Sequence, residues 1–205
     1  MPTLAILGME TMAPRSAAPG VHSVTHWRAH ARRHPLRHRL AVVAPDAADV
    51  IRHAGGWLFD RSAAGWEVTV LVADSADVAP LRILGATVLD LRQAITGPSH
   101  DIWPTAVAVS AASYRAEPLV RAGVLDCIDR GLTETAVWGD DLPDELAGRV
   151  APSYHRLSVA ARAFKSCALA AAGCAREPVV PTEVFGTGEL LPPRYRAEMR
   201  DLLPA

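Results

Sequence analysis

Two aspartates and a histidine that could bind a polar ligand or a metal ion follow the first apolar run of the sequence. Asp46 and Asp49 come after Leu40–Ala44, and His53 lies four residues beyond Asp49. A helix would place Asp49 and His53 on one face, and carboxylates and imidazoles are common ligands of divalent metals. A histidine later in the chain, His100, is a further candidate. The candidate metal ligands are therefore Asp46, Asp49, His53 and His100. The candidate residues for binding another polar ligand are Asp46, Asp49 and His100. The alternative is that the two aspartates are ordinary loop carboxylates that cap the following helix.

Five histidines recur at every fourth position near the N-terminus: His22, His26, His30, His34 and His38. On a helix this spacing would stack the imidazoles on one face, as in a metal-binding or pH-sensing strip. We favour a solvated basic arm instead, because Pro35 interrupts a helix and no acidic or cysteine ligand accompanies the histidines. The first forty residues carry six arginines against Glu10 alone, a net charge of +5, so this arm could contact a protein partner.

Composition and motifs exclude several other classes of function. The net charge of −1 argues against nucleic-acid binding by the chain as a whole. No apolar run reaches the 18 to 20 residues, roughly, of a membrane span, and no signal peptide is evident, so we expect a cytoplasmic protein. Phosphate-binding glycine loops, nucleophile elbows and paired cysteines are missing from the sequence.

Short apolar runs alternate with helical segments from Arg39 onward. Leu40–Ala44 and Val68–Ala73 are continuously apolar, which is typical of parallel strands buried on both faces. The alternation predicts a three-layer, Rossmann-like α/β fold with a mostly parallel sheet of five or six strands. We expect these two strands to lie side by side at its centre.

The chain divides by composition into three parts. Residues 1–38 form the His/Arg-rich arm, of which 1–20 should pack loosely, since they offer no periodic apolar face. Residues 39–176 form the α/β domain. Residues 177–205 are Pro-rich and are predicted to wrap the domain as an irregular tail.

Two segments resemble the LmbE/PIG-L family, zinc-dependent deacetylases of N-acetylglucosamine conjugates. Residues 41–58 read AVVAPDAADVIRHAGGWL, and residues 63–74 read AAGWEVTVLVAD. In the family, the first strand ends in Ala-His-Pro-Asp-Asp-Glu, a Gly-Gly pair follows in the first helix, and the second strand ends near Thr-Asp-Gly. Lys165 with Ala168 and Leu169 is similar to a late Lys-x-x-Ala-Leu helix of the same family.

The resemblance also implies that the catalytic set is incomplete. Aligned through the Gly-Gly pair, Asp46 stands where the family has its metal-binding His, and Ala48 where it has its catalytic-base Asp. The family's metal-binding Asp corresponds to Asp49 and its Glu to Val50. His100 is the only histidine in the region of the family's distal ligands. Alanine cannot accept a proton, so general-base catalysis lacks its group.

Three functions therefore stay open. The first is a catalytically degenerate relative of these deacetylases that binds a ligand, such as a small sugar conjugate, or has a regulatory role. The second is a divergent metal-dependent N-deacetylase or amidohydrolase acting on an N-acetylated sugar conjugate. The third is an interaction subunit that uses residues 1–38. We lean towards a non-enzyme with no cofactor, with zinc as the candidate cofactor if there is one.

Overall fold

The structure is a computed structural model that describes residues 18–34, 36–96 and 104–188. Its centre is a seven-stranded sheet. The strands are β1 (Arg39–Ala44), β2 (Glu67–Val72), β3 (Thr87–Asp90), β4 (Ala106–Ser110), β5 (Glu134–Trp138), β6 (Val150–Arg156) and β7 (Thr182–Gly188). They lie in the order β3-β2-β1-β4-β5-β7-β6.

Across the three described ranges, seven α-helices connect and cover the strands. They are α1 (Val24–Arg33), α2 (Ala47–Ala63), α3 (Ala79–Ile83), α4 (Leu91–Thr96), α5 (Ala111–Ala116), α6 (Pro118–Arg130) and α7 (Val159–Ala171). A short 3-10 helix spans Asp144–Leu146. Helices α2, α3 and α7 pack together over one face of the sheet. Buried residues of α4, α5 and α6 pack on the other, which gives three layers.

The central strands agree with the sequence prediction. β1 pairs in parallel with β2, with Leu40 opposite Val68, and on its other side with β4, so neither β1 nor β2 lies at an edge. Leu40, Val42 and Val70 are fully buried. Continuous apolar strands of this kind need helices on both faces, and the layers provide them. The predicted α/β class with a mostly parallel sheet is confirmed.

The far end of the sheet differs from the prediction. β7 pairs antiparallel with β5, and β6 pairs antiparallel with β7, so the sheet has seven strands instead of five or six. Thr182–Gly188 was expected to be irregular, and that expectation was wrong. β6 is an edge strand that alternates between half-buried and exposed positions, and such a strand tolerates Pro152.

The histidine-rich segment contains a helix that packs on the sheet. A solvated basic arm was expected here, whereas Val24–Arg33 is a helix that ends before the helix-breaking Pro35. Val24 and Ala31 are buried, and the indole N–H of Trp27 donates to Thr69 Oγ1 at 3.0 Å. Residues 1–17 lie outside the described residues, so the expected loose packing of 1–20 stays a prediction, as do the boundaries after residues 38 and 176. Over the described residues, no helix has the length and apolar character to cross a membrane.

Candidate functional site

The candidate site lies at the carboxyl ends of the parallel strands. The chain leaves β1 to one side towards β2 and meets β4 on the other side, so the strand order reverses between β1 and β4. Open α/β sheets bind their ligands at such a switch point. Asp46 comes soon after β1, and Trp138 is the last residue of β5. The strand order therefore brings both residues to this edge of the sheet.

Asp46 caps helix α2. Its backbone is extended, and its Oδ1 accepts the Asp49 N–H at 2.8 Å. An aspartate at the N-cap satisfies one of the free N–H groups of the first turn and favours the helix dipole. The capping alternative considered for Asp46 is therefore confirmed.

Asp49 is the most constrained carboxylate at this edge. Its Oδ2 accepts the indole N–H of Trp138 at 3.0 Å, and its Oδ1 lies 3.8 Å from His53 Nε2. Burial raises the pKa of Asp49, while the hydrogen bond from Trp138 and the nearby His53 act in the opposite direction. A half-buried carboxylate with a shifted pKa beside a histidine is a typical feature of a functional site.

The four predicted metal ligands do not form a complete site among the described residues. Asp49 and His53 lie close together, as their i, i+4 spacing predicted. His100 lies outside the described residues, so its place in the site stays a prediction. Within the described ranges, the one group of three or more metal-ligating side chains lies elsewhere, on α1 and β2. A hydrolytic zinc site needs about three protein ligands with an open position for water.

A cleft with a volume of about 530 Å³ has His53 and Trp138, the two side chains beside Asp49, in its lining. Its polar lining includes His53 of α2, Asp140 after β5 and Thr182 of β7. Leu142 and Phe185 add apolar surface to the lining. Its size and mixed lining fit a small molecule with both polar and apolar parts.

Gly139 is required where β5 enters the cleft. Its φ of +133° lies in a region that L side chains rarely adopt. A Cβ there would also lie 2.9 Å from the Ala111 Cβ at the start of α5. The backbone of β5 can therefore approach the end of β4 closely only with glycine at this position.

A second cavity, of about 230 Å³, lies on the opposite face of the sheet. Its lining is almost wholly apolar, and includes Trp27, Leu71 and Val107. Its two polar contributors are already engaged, Thr69 with Trp27 and Arg39 with the carbonyl of Ala31. The cleft at the strand ends is therefore the better candidate for a polar ligand.

A buried ion pair lies next to the cleft. Lys165 and Glu183 are 1% and 3% exposed, and their Nζ and Oε1 atoms lie 2.6 Å apart. Glu183 also accepts the N–H groups of Gly56 and Trp57, at 2.9 and 2.8 Å. Lys165 donates to the carbonyl of Arg52 at 2.6 Å.

These bonds fix the middle of helix α2. In a regular helix the Gly56 N–H donates to the Arg52 carbonyl, four residues earlier. Here both groups have a side-chain partner, Glu183 from β7 and Lys165 from α7. The ion pair therefore joins three elements around the segment that carries His53. The sequence singled out Lys165 only through the family resemblance, and Glu183 gave no signal.

Comparison with known proteins gives similarity in structure alone. No family model and no curated protein matches the sequence. The structure of a deacetylase–teicoplanin complex from the teicoplanin biosynthesis pathway matches with a TM-score of 0.53 at 13% identity, over 74% of this chain and 98% of that chain. The A40926 pseudoaglycone deacetylase Dbv21 gives a TM-score of 0.49 at 16% identity, over 76% and 98% of the two chains. The hydratase GalB from Pseudomonas putida gives 0.49 at 12% identity, over 76% and 97%.

The first of these similarities establishes the fold. At 13% identity it carries no information about substrate or catalytic residues, because one fold hosts many activities. The resemblance of residues 41–58 and 63–74 to the LmbE/PIG-L family implied a deacetylase-type α/β fold, and that implication is confirmed. The chain has the fold of a deacetylase.

Proposed function

We propose that this chain is a non-catalytic ligand-binding protein with a deacetylase fold, whose cleft takes a small polar molecule such as an N-acetylated sugar conjugate. The observation that carries the proposal is the state of Asp49. Its carboxylate already accepts a hydrogen bond from Trp138, and Ala48 stands beside it with no proton acceptor. Asp46 is engaged with the helix backbone.

The lining of the cleft supports this class of ligand. Sugars present hydroxyl groups on their rims and C–H groups on their ring faces. His53, Asp140 and Thr182 offer hydrogen-bonding partners for hydroxyl and amide groups, and Leu142 and Phe185 offer an apolar surface for the ring. The structural relative with a TM-score of 0.53 is a deacetylase in complex with teicoplanin, so a protein of this fold is known to bind a ligand.

Ligand-observed NMR with a panel of N-acetylated sugars tests the proposal. Saturation transfer to at least one sugar is expected for the wild-type chain, and it should weaken in H53A and D140A. The control variant is R130A, which changes an exposed residue on α6 away from the cleft. Equal transfer in all four proteins, or none in any of them, would contradict a ligand site in the cleft.

The second candidate function is a divergent metal-dependent hydrolase. The pairing of a half-buried Asp49 with His53, 3.8 Å apart, favours it, because two ligands of a metal site are then in place. It predicts that zinc affinity falls at least about 10-fold when both residues are replaced by alanine. Zinc affinity that is unchanged in D49A/H53A would contradict a metal site in the cleft.

A further inference from the structure

The opposite end of the sheet holds three side chains that converge on one point. His30 lies in the last turn of α1, His34 follows that helix directly, and Glu67 is the first residue of β2. One nitrogen of each imidazole and one carboxylate oxygen lie within 4.8 Å of one another. The regular spacing of the histidines brings two of the five together, with ring centroids 4.4 Å apart.

The distances fit a tetrahedral metal ion. His30 Nε2 and Glu67 Oε1 are 3.4 Å apart. In tetrahedral zinc sites the metal–nitrogen and metal–oxygen distances of about 2.0–2.1 Å place neighbouring ligand atoms about 3.3–3.4 Å apart. These two atoms therefore already have the separation of two zinc ligands.

The second imidazole is oriented by its own helix. His34 Nδ1 lies 3.0 Å from the carbonyl oxygen of His30. A carbonyl only accepts, so Nδ1 carries the proton, and in the neutral ring the lone pair is on Nε2. A ligating histidine commonly donates its other N–H to a backbone carbonyl in this way, which fixes the tautomer and the direction of the ring.

Glu67 provides a carboxylate oxygen that lacks a hydrogen-bond donor. Its Oε1 is buried and accepts no hydrogen bond from any residue of the described ranges. Its other oxygen, Oε2, lies 3.0 Å from Nε of the buried Arg39. Arg39 thus holds the carboxylate in place, with Oε1 turned towards His30. The exposed Arg37 lies 3.6 Å from Oε1 and can move aside into solvent.

We propose that His30, His34 and Glu67 form a binding site for one Zn²⁺ ion, with the fourth position open to solvent. Two imidazoles and a carboxylate suit zinc and neighbouring transition metals better than calcium or magnesium. The site is independent of the proposed cleft, since β1 and β2 separate them by about 20 Å, the length of six strand residues. Zinc here would clamp α1 to the sheet.

Zinc titration of the full-length, untagged chain against a chromophoric chelator tests the site. His30 is exposed and His34 is only partly buried, so alanine at either position removes a ligand without disturbing the core. H30A and H34A should each weaken zinc binding at least about 10-fold. Co²⁺ bound to the wild-type chain should show the visible absorption of a four-coordinate ion, and this absorption should be lost in both variants.

Two controls separate this site from others. H26A removes a histidine one turn earlier on the same helix and should leave zinc affinity within twofold of the wild type. D49A/H53A removes the candidate ligands of the cleft and should leave the Co²⁺ spectrum unchanged. Zinc affinity that is equal in the wild type, H30A and H34A would overturn the proposal. A loss in H26A as large as that in H30A would also overturn it, because it would indicate binding by any histidine of the arm.

Discussion

Lys165 and Glu183 form an ion pair in the interior of the protein, between α7 and β7. Both are almost fully buried, and together they satisfy backbone groups in the middle of α2. A buried ion pair is weak evidence for net stabilisation, but removing one partner leaves an uncompensated charge in the interior. The pair therefore limits which side chains can replace Lys165 or Glu183 without loss of stability.

Replacing Lys165 by methionine should lower the free energy of unfolding by about 3–5 kcal/mol, since the Glu183 carboxylate would stay buried without its cation. Urea unfolding followed by circular dichroism measures the change. R130A, which breaks the exposed Arg130–Asp126 pair on α6, is the matched control and should barely move the midpoint. A K165M midpoint equal to that of R130A would contradict the role of the pair.

Asp49 should make stability depend on pH in the direction opposite to most carboxylates. Burial raises its pKa above the usual value of 3.8, so the folded state binds a proton more tightly than the unfolded state. The contribution of Asp49 is then most favourable below the unfolded pKa and is lost as pH rises through the raised folded pKa. At neutral pH the charged carboxylate costs stability.

D49N should therefore be more stable than the wild type at pH 7, with the difference vanishing at low pH. Its amide oxygen can still accept the Trp138 N–H, so the contact seen for Asp49 Oδ2 is retained. Urea midpoints of both proteins from pH 3 to pH 8 measure the effect. A D49N protein less stable than the wild type at pH 7 would contradict this expectation, because it would show that the charged carboxylate stabilises the fold.

At the scale of elements, the sequence predicts the central strands and helices well and the antiparallel end poorly. β1 and β2 are continuous apolar runs, and this pattern indicates strands that are covered on both faces. β6 and β7 carry Pro152, Gly186 and Gly188, and their polar residues alternate only weakly with apolar ones. β7 pairs with both β5 and β6, and this pairing stabilises the two strands; single-strand patterns do not contain that information.

In the candidate site, too, contacts between neighbours in the sequence could be predicted and contacts between distant residues could not. The proximity of Asp49 and His53 follows from helical spacing, which is local. The contact of Asp49 with Trp138 joins residues 89 positions apart and exists because β5 lies two strands from β1. The sequence pattern gives no sign of the hydrogen bond between Trp138 and Asp49.

Helix α2 packs so closely against Leu157 that there is no room for a Cβ atom at Gly56. A Cβ on Gly56 would lie 2.4 Å from a methyl carbon of Leu157, before α7, so G56A should lower stability by about 1–3 kcal/mol. The matched control is G123A on α6, where a Cβ meets nothing within 4 Å and should raise stability by about 0.5–1 kcal/mol. Thermal unfolding of the two variants beside the wild type should give opposite shifts. A G56A protein as stable as G123A would contradict the close packing.

At the scale of the whole molecule, the strand order assembles the cleft from distant parts of the chain. β1 and β5 bring Asp46, Asp49 and Trp138 to one edge, and the antiparallel pair β6–β7 closes the side that a purely parallel sheet would leave open. The fold of a deacetylase therefore supplies a ligand-sized cleft even where Ala48 has no proton acceptor. General-base assistance is typically worth about 10²–10⁴ in rate, and a hydrolase without metal ligands would also lack water activation.

The measurement that tests the central claim most directly is amine release from a panel of N-acetylated sugars, with added zinc and, in parallel, with EDTA. We predict release no faster than without protein under both conditions, and no difference between the wild type and D49A. EDTA-sensitive release by the wild-type chain that D49A abolishes would contradict a non-catalytic role, and would show that Asp49 belongs to a working metal-dependent active site.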